Sequence, residues 1–147
     1  MTEQGARGAM APGRRAAVAL AVGLVGAGVM LWATWDRAGV TGRDLRLILY
    51  AGAGSVAAGL AVAPLFGRPG RAGLGWAVLG AVLATGLGGA VAGLLFDPMG
   101  AGVFRAAVVG AAMGLILSLG SVPAAAFWAG GMALVHVLAR GRRAPTE

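Results

Sequence analysis

Charged residues divide this chain into long apolar stretches. Four stretches hold no charged residue at all, at positions 16–35, 47–67, 72–96 and 106–139. They are 20, 21, 25 and 34 residues long, and a helix needs about 20 apolar residues to cross a hydrocarbon core of ~30 Å. The pattern therefore predicts an all-α fold, a polytopic transmembrane helical bundle with four to five membrane-embedded helices.

Turn-forming residues between these stretches place the helix ends. Thr41-Gly42-Arg43-Asp44 has the spacing of a capping box at a helix start, and Asp97-Pro98-Met99-Gly100 ends the third stretch. The first stretch exceeds the 7–15 residues of a signal-peptide core, so we expect an uncleaved helix. The predicted helices cover about 16–35, 44–66, 72–96, 103–119 and 123–139, between a flexible polar tail at 1–15 and a basic tail at 140–147.

The last apolar stretch is too long for one crossing. As a continuous helix, 106–139 would extend ~51 Å at 1.5 Å per residue. Gly120-Ser121-Val122-Pro123 interrupts it, because proline disfavours a helical conformation at the preceding residue. We interpret the stretch as a helical hairpin, which favours five spans over four.

Counting arginines favours four spans instead. Four spans with both termini inside place eight arginines in the cytoplasm and four outside, whereas five spans give seven to five at best. A fifth helix that enters the membrane without crossing it would satisfy both observations.

Composition supports a membrane location. Apolar residues make up 59% of the chain and charged residues 12%, against about 25% charged in soluble domains. All twelve basic residues are arginines at the termini and in loops, which favours topology and lipid contact over nucleic-acid binding. We expect a multi-pass protein of the bacterial inner membrane. Its predicted interface anchors are Trp32, Trp35, Trp76, Trp128, Arg14, Arg15, Arg68, Arg71, Arg140, Arg142 and Arg143.

Small residues four positions apart form the strongest local pattern. The pairs are Ala19 and Gly23, Ser55 and Gly59, Gly89 and Gly93, and Gly110 and Gly114. Small side chains allow helix backbones to approach closely, and this packing drives helix association in lipid. The pattern predicts either packing within the bundle or docking onto the helices of another protein.

Candidates for chemistry are few. Gly52-Ala53-Gly54-Ser55-Val56-Ala57 matches a dinucleotide fingerprint, but it lies inside a predicted helix, where the motif cannot work. His136 is the only histidine and lies near the end of the last helix, which favours packing over a ligand role. Asp36, Asp44 and Asp97 lie near helix ends, where capping or pairing with arginine explains them. We predict no cofactor and no metal, although bound lipids are compatible with the composition.

These observations predict a protein without catalytic activity. The first hypothesis is an accessory, structural or assembly subunit that packs against a larger inner-membrane complex through its small-residue faces. The alternative is a small homo-oligomeric transporter or channel, with Ser55, Thr85 and Ser118 along a polar path. The expected partners are the lipid bilayer and other membrane subunits or further copies of the chain.

Overall fold

Five helices make up the described part of the chain. The computed structural model describes residues 10–35, 41–96 and 102–140, and these residues contain no strand. A short 3₁₀ turn, Ala63–Leu65, extends the second helix. The helices are α1 (Pro12–Trp35), α2 (Gly42–Val62), α3 (Gly70–Phe96), α4 (Val103–Leu119) and α5 (Val122–Arg140). The predicted all-α fold is confirmed: α1, α2 with its turn, α3 and α5 are long and apolar enough to span a membrane, and α4 is a shorter apolar helix.

Local chemistry sets the helix ends. Pro12 begins α1, since the first position of a helix tolerates a missing N–H, so part of the predicted 1–15 tail is helical. The Thr41 hydroxyl accepts from the Asp44 backbone N–H at 3.3 Å, and the Thr41 N–H donates to the Asp44 carboxylate at 3.0 Å. This confirms the predicted capping box. The remaining tail residues, 1–9 and 141–147, lie outside the described residues.

The first four helices pack as successive antiparallel neighbours. The Arg15 guanidinium, near the start of α1, donates to the Leu60 carbonyl at the end of α2 at 3.0 and 2.8 Å. Near its other end, α2 meets the end of α3, where the Arg43 guanidinium lies 5.6 Å from the centre of the Phe96 ring. We call the end of the bundle with the start of α1 and the α2–α3 turn the proximal end. The distal end holds the end of α1, the start of α2, the end of α3 and the start of α4.

Helix α5 runs toward the proximal end. Gly131 packs against Val25 of α1, and Phe127 packs against Gly28 further along α1, so the two helices are antiparallel. Near the end of α5, the Gly67 N–H of the α2–α3 turn donates to Nδ1 of His136 at 3.1 Å. The last residues of α5 therefore lie at the same end of the bundle as the first residues of α1.

The predicted hairpin between α4 and α5 is wrong. Helix α4 begins at the distal end and packs antiparallel to α3, through contacts of Gly93 with Ala106 and of Gly114 with Thr85. It thus heads toward the proximal end, as α5 does. The break at Gly120 and Ser121 redirects the chain without reversing it, because the contacts of α5 with α1 and with the α2–α3 turn set its direction. Helices α4 and α5 together therefore pass once along the bundle, from its distal to its proximal end.

The described part of the chain begins and ends at the same end of the bundle, since the start of α1 and the end of α5 both lie at the proximal end. An even number of crossings, which the arginine count favours, agrees with this arrangement.

The tightly packed core lies in the proximal half. Its buried members come from α1, the end of α2, α3 and α5, and none comes from α4: Val18, Val22, Val25, Val62, Ala63, Phe66, Ala77, Ala81, Ala84, Met132, Val135 and Ala139. Helix α4 makes few contacts with α5 and very few with α1. The distal half is therefore less well filled.

Candidate functional site

The predicted small-residue faces of α1 and α2 lie against each other. A Cβ added at Gly59 would lie 2.9 Å from the Cα of Ala19. One added at Gly23 would overlap the side chain of Val56 and lie 3.2 Å from the Gly52 carbonyl oxygen. These positions bring the two backbones together inside the chain.

The predicted faces of α3 and α4 also meet each other. A Cβ at Gly89 would overlap the Gly110 carbonyl oxygen, and one at Gly110 would overlap that of Gly89. Gly93 lies in the same way against Ala106, and a Cβ at Gly114 would lie 3.1 Å from the Thr85 carbonyl oxygen. Contacts within the chain therefore occupy these surfaces. Docking of the same faces onto another protein stays a prediction, without support from these contacts.

Ser55 lies where three helices meet. A Cβ at Gly26 of α1 would overlap its hydroxyl, and one at Gly88 of α3 would lie 2.9 Å from it. Ser55 is buried, at 8% exposure. The two glycines thus provide the space in which a polar side chain of α2 is held between α1 and α3.

A cavity of about 730 Å³ fills the distal half of the bundle. Its walls are the distal halves of α1, α2 and α3 and most of α4, and Trp128 and Met132 of α5 contribute toward its proximal side. Ligand pockets of proteins commonly measure ~300–1,000 Å³, so the space is large enough for a small organic molecule. It exists because α4 packs on α3 while α5 packs on α1.

The three hydroxyl residues predicted to line a polar path all line this one cavity. The Thr85 hydroxyl donates to the Ala81 carbonyl at 2.9 Å, and the Ser118 hydroxyl donates to that of Gly114 at 2.8 Å. Trp128 Nε1–H donates to the Thr85 hydroxyl oxygen at 2.8 Å. The protons of Thr85, Ser118 and Trp128 are therefore already donated to protein groups, and the described lining residues of this half include no ionisable side chain.

The distal end of the cavity has a different character. Tyr50 and Phe96 line it together with Arg105 from the first turn of α4, and Arg105 is the only charged side chain among the described lining residues. The Arg43 guanidinium over the Phe96 ring adds a second positive charge nearby. The sequence did not identify Arg105 as a lining residue, because nothing in it shows which way the first turn of α4 faces.

Three of the four tryptophans occupy helix ends. Trp32 and Trp35, in the last turn of α1, are 54% and 69% exposed. Trp76 is near the start of α3, and the Arg68 guanidinium lies 4.8 Å from its ring centre. Trp128 differs from these three: its indole points into the bundle and donates to the Thr85 hydroxyl, near the middle of α3.

Most of the predicted arginine anchors lie at the proximal end. Arg14 and Arg15 are in the first turn of α1, Arg71 in that of α3, and Arg140 ends α5. Arg68 donates from Nε to the Pro64 carbonyl at 3.2 Å. Arg142 and Arg143 lie outside the described residues.

The remaining sequence candidates have structural roles or fall outside the described residues. His136 is 5% exposed and accepts a hydrogen bond from the α2–α3 turn, while its Nε2 has no partner in the described part of the chain. The fingerprint-like segment 52–57 lies within α2, where Gly54 packs against Gly88. Asp36 and Asp97 lie outside the described residues.

Groups able to hold a metal ion are absent from residues 10–35, 41–96 and 102–140. Comparison of the chain with protein-family models, curated proteins and solved structures finds no match. A function is therefore argued from the cavity and its surroundings alone.

Proposed function

We propose that this chain is a non-catalytic protein of the bacterial inner membrane that binds a small, mostly apolar molecule in its central cavity, as a small transporter or carrier does. The observation that carries the proposal is the convergence of all five helices on one cavity of about 730 Å³. Binding sites of transporters lie between helices near the bilayer midplane, often beside a broken helix. The break between α4 and α5, and the position of Trp128 and Met132, agree with that architecture.

The character of the lining supports binding without catalysis. Apart from Arg105, the described lining residues are apolar, small or hydroxyl-bearing. Nucleophilic catalysis needs a nucleophile activated by a base, and acid–base catalysis needs a group that transfers a proton; the described lining residues include no histidine, carboxylate or thiol. Proton relays in membranes commonly use such groups as well, so we propose a carrier that is not driven by protons.

The accessory-subunit hypothesis, which the sequence put first, becomes the second candidate. Its support is the apolar outer surface of α3, α4 and α5, which exposes large side chains such as Leu83, Ile116 and Leu134. On this surface, Gly86 and Gly130 have nothing within 4 Å of an added Cβ. A neighbouring helix would find room to approach there, and so would lipid chains.

The orientation follows from the arginines. The proximal end carries Arg14, Arg15, Arg68, Arg71 and Arg140, whereas Arg43, Arg46 and Arg105 lie at the distal end. Since cytoplasmic loops carry the excess of basic residues, we propose that the proximal end faces the cytoplasm. The cavity, whose walls are mostly the distal halves of the helices, then lies toward the outer side of the membrane.

Purification of the chain from its native membrane in a mild detergent, followed by native mass analysis, tests this function. We expect a small molecule to accompany the chain and to be lost in a Val109→Trp variant, which fills the cavity. Val108→Trp is the matched control, because Val108 and Val109 are 50% and 53% exposed but only Val109 lines the cavity. Larger subunits at a fixed ratio would favour the second candidate. If the wild-type chain and both variants all carried no bound small molecule, cavity binding would be contradicted.

A further inference from the structure

The cavity has a charged distal end and an uncharged interior. Arg105 lies at the distal end of its lining, and the polar lining residues nearer the middle of the bundle, Ser55, Thr85, Ser118 and Trp128, carry no charge. A molecule that satisfies both regions must combine an apolar body with an anionic group at one end. Neither an inorganic ion nor a plain hydrocarbon does so.

Positive charge at this end of the cavity is not cancelled by a carboxylate among the described lining residues. Arg43 adds a second guanidinium, 5.6 Å from the ring centre of Phe96. The carboxylate next in sequence to it, that of Asp44, is buried at 4% exposure and accepts hydrogen bonds from Thr41. Guanidinium groups bind carboxylates and phosphates through paired, charge-assisted hydrogen bonds. The surrounding low dielectric strengthens such a pair.

The length of the cavity also fits one hydrocarbon chain. Lining residues on α4 run from Arg105 to Ser118, a separation of 13 residues, or about 20 Å along the helix axis. Half of a bilayer's hydrocarbon core is about 15 Å thick. A chain that starts at Arg105 would therefore reach Trp128 and Met132 on the far side of the cavity.

We propose that the cavity binds the hydrocarbon chain of an anionic amphiphile, with its carboxylate or phosphate on the Arg105 guanidinium and the end of its chain beside Trp128. This inference rests on the proposed function, because it names the class of molecule that the cavity takes. The same chemistry occurs in a free fatty acid and in an anionic phospholipid.

Quenching of Trp128 by brominated chains tests the proposal. In the full-length protein, changing Trp32, Trp35 and Trp76 to Phe leaves Trp128 as the only tryptophan, and a bromine near the end of a bound chain would quench it. The protein is placed in phosphatidylcholine nanodiscs, buffered above neutral pH. The probes are brominated palmitate, brominated phosphatidylglycerol and brominated phosphatidylcholine.

We expect both anionic probes, or one of them, to quench Trp128 at concentrations at least tenfold below that of brominated phosphatidylcholine. Quenching by palmitate alone identifies a free amphiphile, and quenching by phosphatidylglycerol alone identifies a membrane lipid. Arg105→Gln should raise the concentration of each anionic probe needed to quench Trp128 about tenfold and leave that of brominated phosphatidylcholine unchanged. Arg46→Gln, which removes a distal arginine that does not line the cavity, should change nothing.

Two failures are distinguishable. Equal quenching by all three probes, or an Arg105→Gln variant that behaves as the parent protein, would overturn the anionic preference. Val109→Phe, which narrows the cavity without adding a second tryptophan, would still abolish quenching if the cavity binds chains. Absence of quenching by every probe would overturn cavity binding itself.

Discussion

Replacing Gly89 with alanine should open the contact between α3 and α4. An added Cβ would overlap the Gly110 carbonyl oxygen and lie 3.2 Å from the Cα of Ala111. Both neighbours are backbone atoms, so the strain is relieved only if the helices move apart. Overpacking of this kind costs about 1–3 kcal/mol. Helix association in lipid depends on such close packing, so the loss is not compensated by a hydrophobic effect.

The matched control lies three residues earlier on the same helix. Gly86→Ala introduces the same methyl group where nothing lies within 4 Å. Alanine favours helix over glycine by up to about 1 kcal/mol, and this gain is common to both variants. The difference between their free energies of unfolding, about 1–3 kcal/mol, therefore isolates the contact with Gly110.

Unfolding in mixed micelles provides the assay. Titration with a denaturing detergent, followed by circular dichroism, should give Gly89→Ala an earlier transition than the wild-type chain and Gly86→Ala a transition equal to the wild-type one or later. If Gly89→Ala and Gly86→Ala unfolded together, the close approach of α3 and α4 would be refuted.

Three further substitutions test side-chain hydrogen bonds. Thr85→Val removes the acceptor of the Trp128 indole N–H; we expect the free energy of unfolding to fall by about 0.6 kcal/mol and the fluorescence emission of Trp128 to shift. Thr85→Ser should keep the wild-type stability and the wild-type emission. His136→Phe leaves the Gly67 N–H without its acceptor, so the free energy of unfolding should fall by about 1–3 kcal/mol. The Gly67 amide should then exchange faster with deuterium, and unchanged exchange would contradict the hydrogen bond. Thr41→Val removes the α2 cap and should cost about 1 kcal/mol. Thr41→Ser should restore that stability, and a Thr41→Val variant as stable as the wild type would refute the capping role.

Helix positions could be predicted from the sequence because they depend on local signals. Charge-free stretches of 20 residues or more, the Thr41 capping box and the break at Gly120 through Pro123 all act through nearby residues. The direction of α5 could not, because proline and glycine indicate that a helix ends without fixing where the chain goes next. That direction depends on contacts distant in sequence, such as Gly131 with Val25 and His136 with Gly67.

The same distinction holds for the candidate site. Ser55, Thr85 and Ser118 were identifiable because hydroxyl groups are rare in apolar helices, and the structure places all three on one cavity. Arg105 and Trp128 were not identifiable as lining residues. Both were missed because a helix sequence shows which residues share a face but not what that face contacts.

The central claim is that α4 and α5 make one crossing, since the cavity exists only if α5 returns toward the proximal end. The chain has no native cysteine, so single cysteines placed at exposed sites can be labelled with a membrane-impermeant maleimide in sealed vesicles. The proximal probes are Gly13→Cys and Arg140→Cys, and the distal probes are Gly42→Cys and Val103→Cys. We predict that the two proximal sites label from one side and the two distal sites from the other. Labelling of Gly13→Cys and Arg140→Cys from opposite sides would mean an odd number of crossings and would contradict both the broken crossing and the cavity built on it.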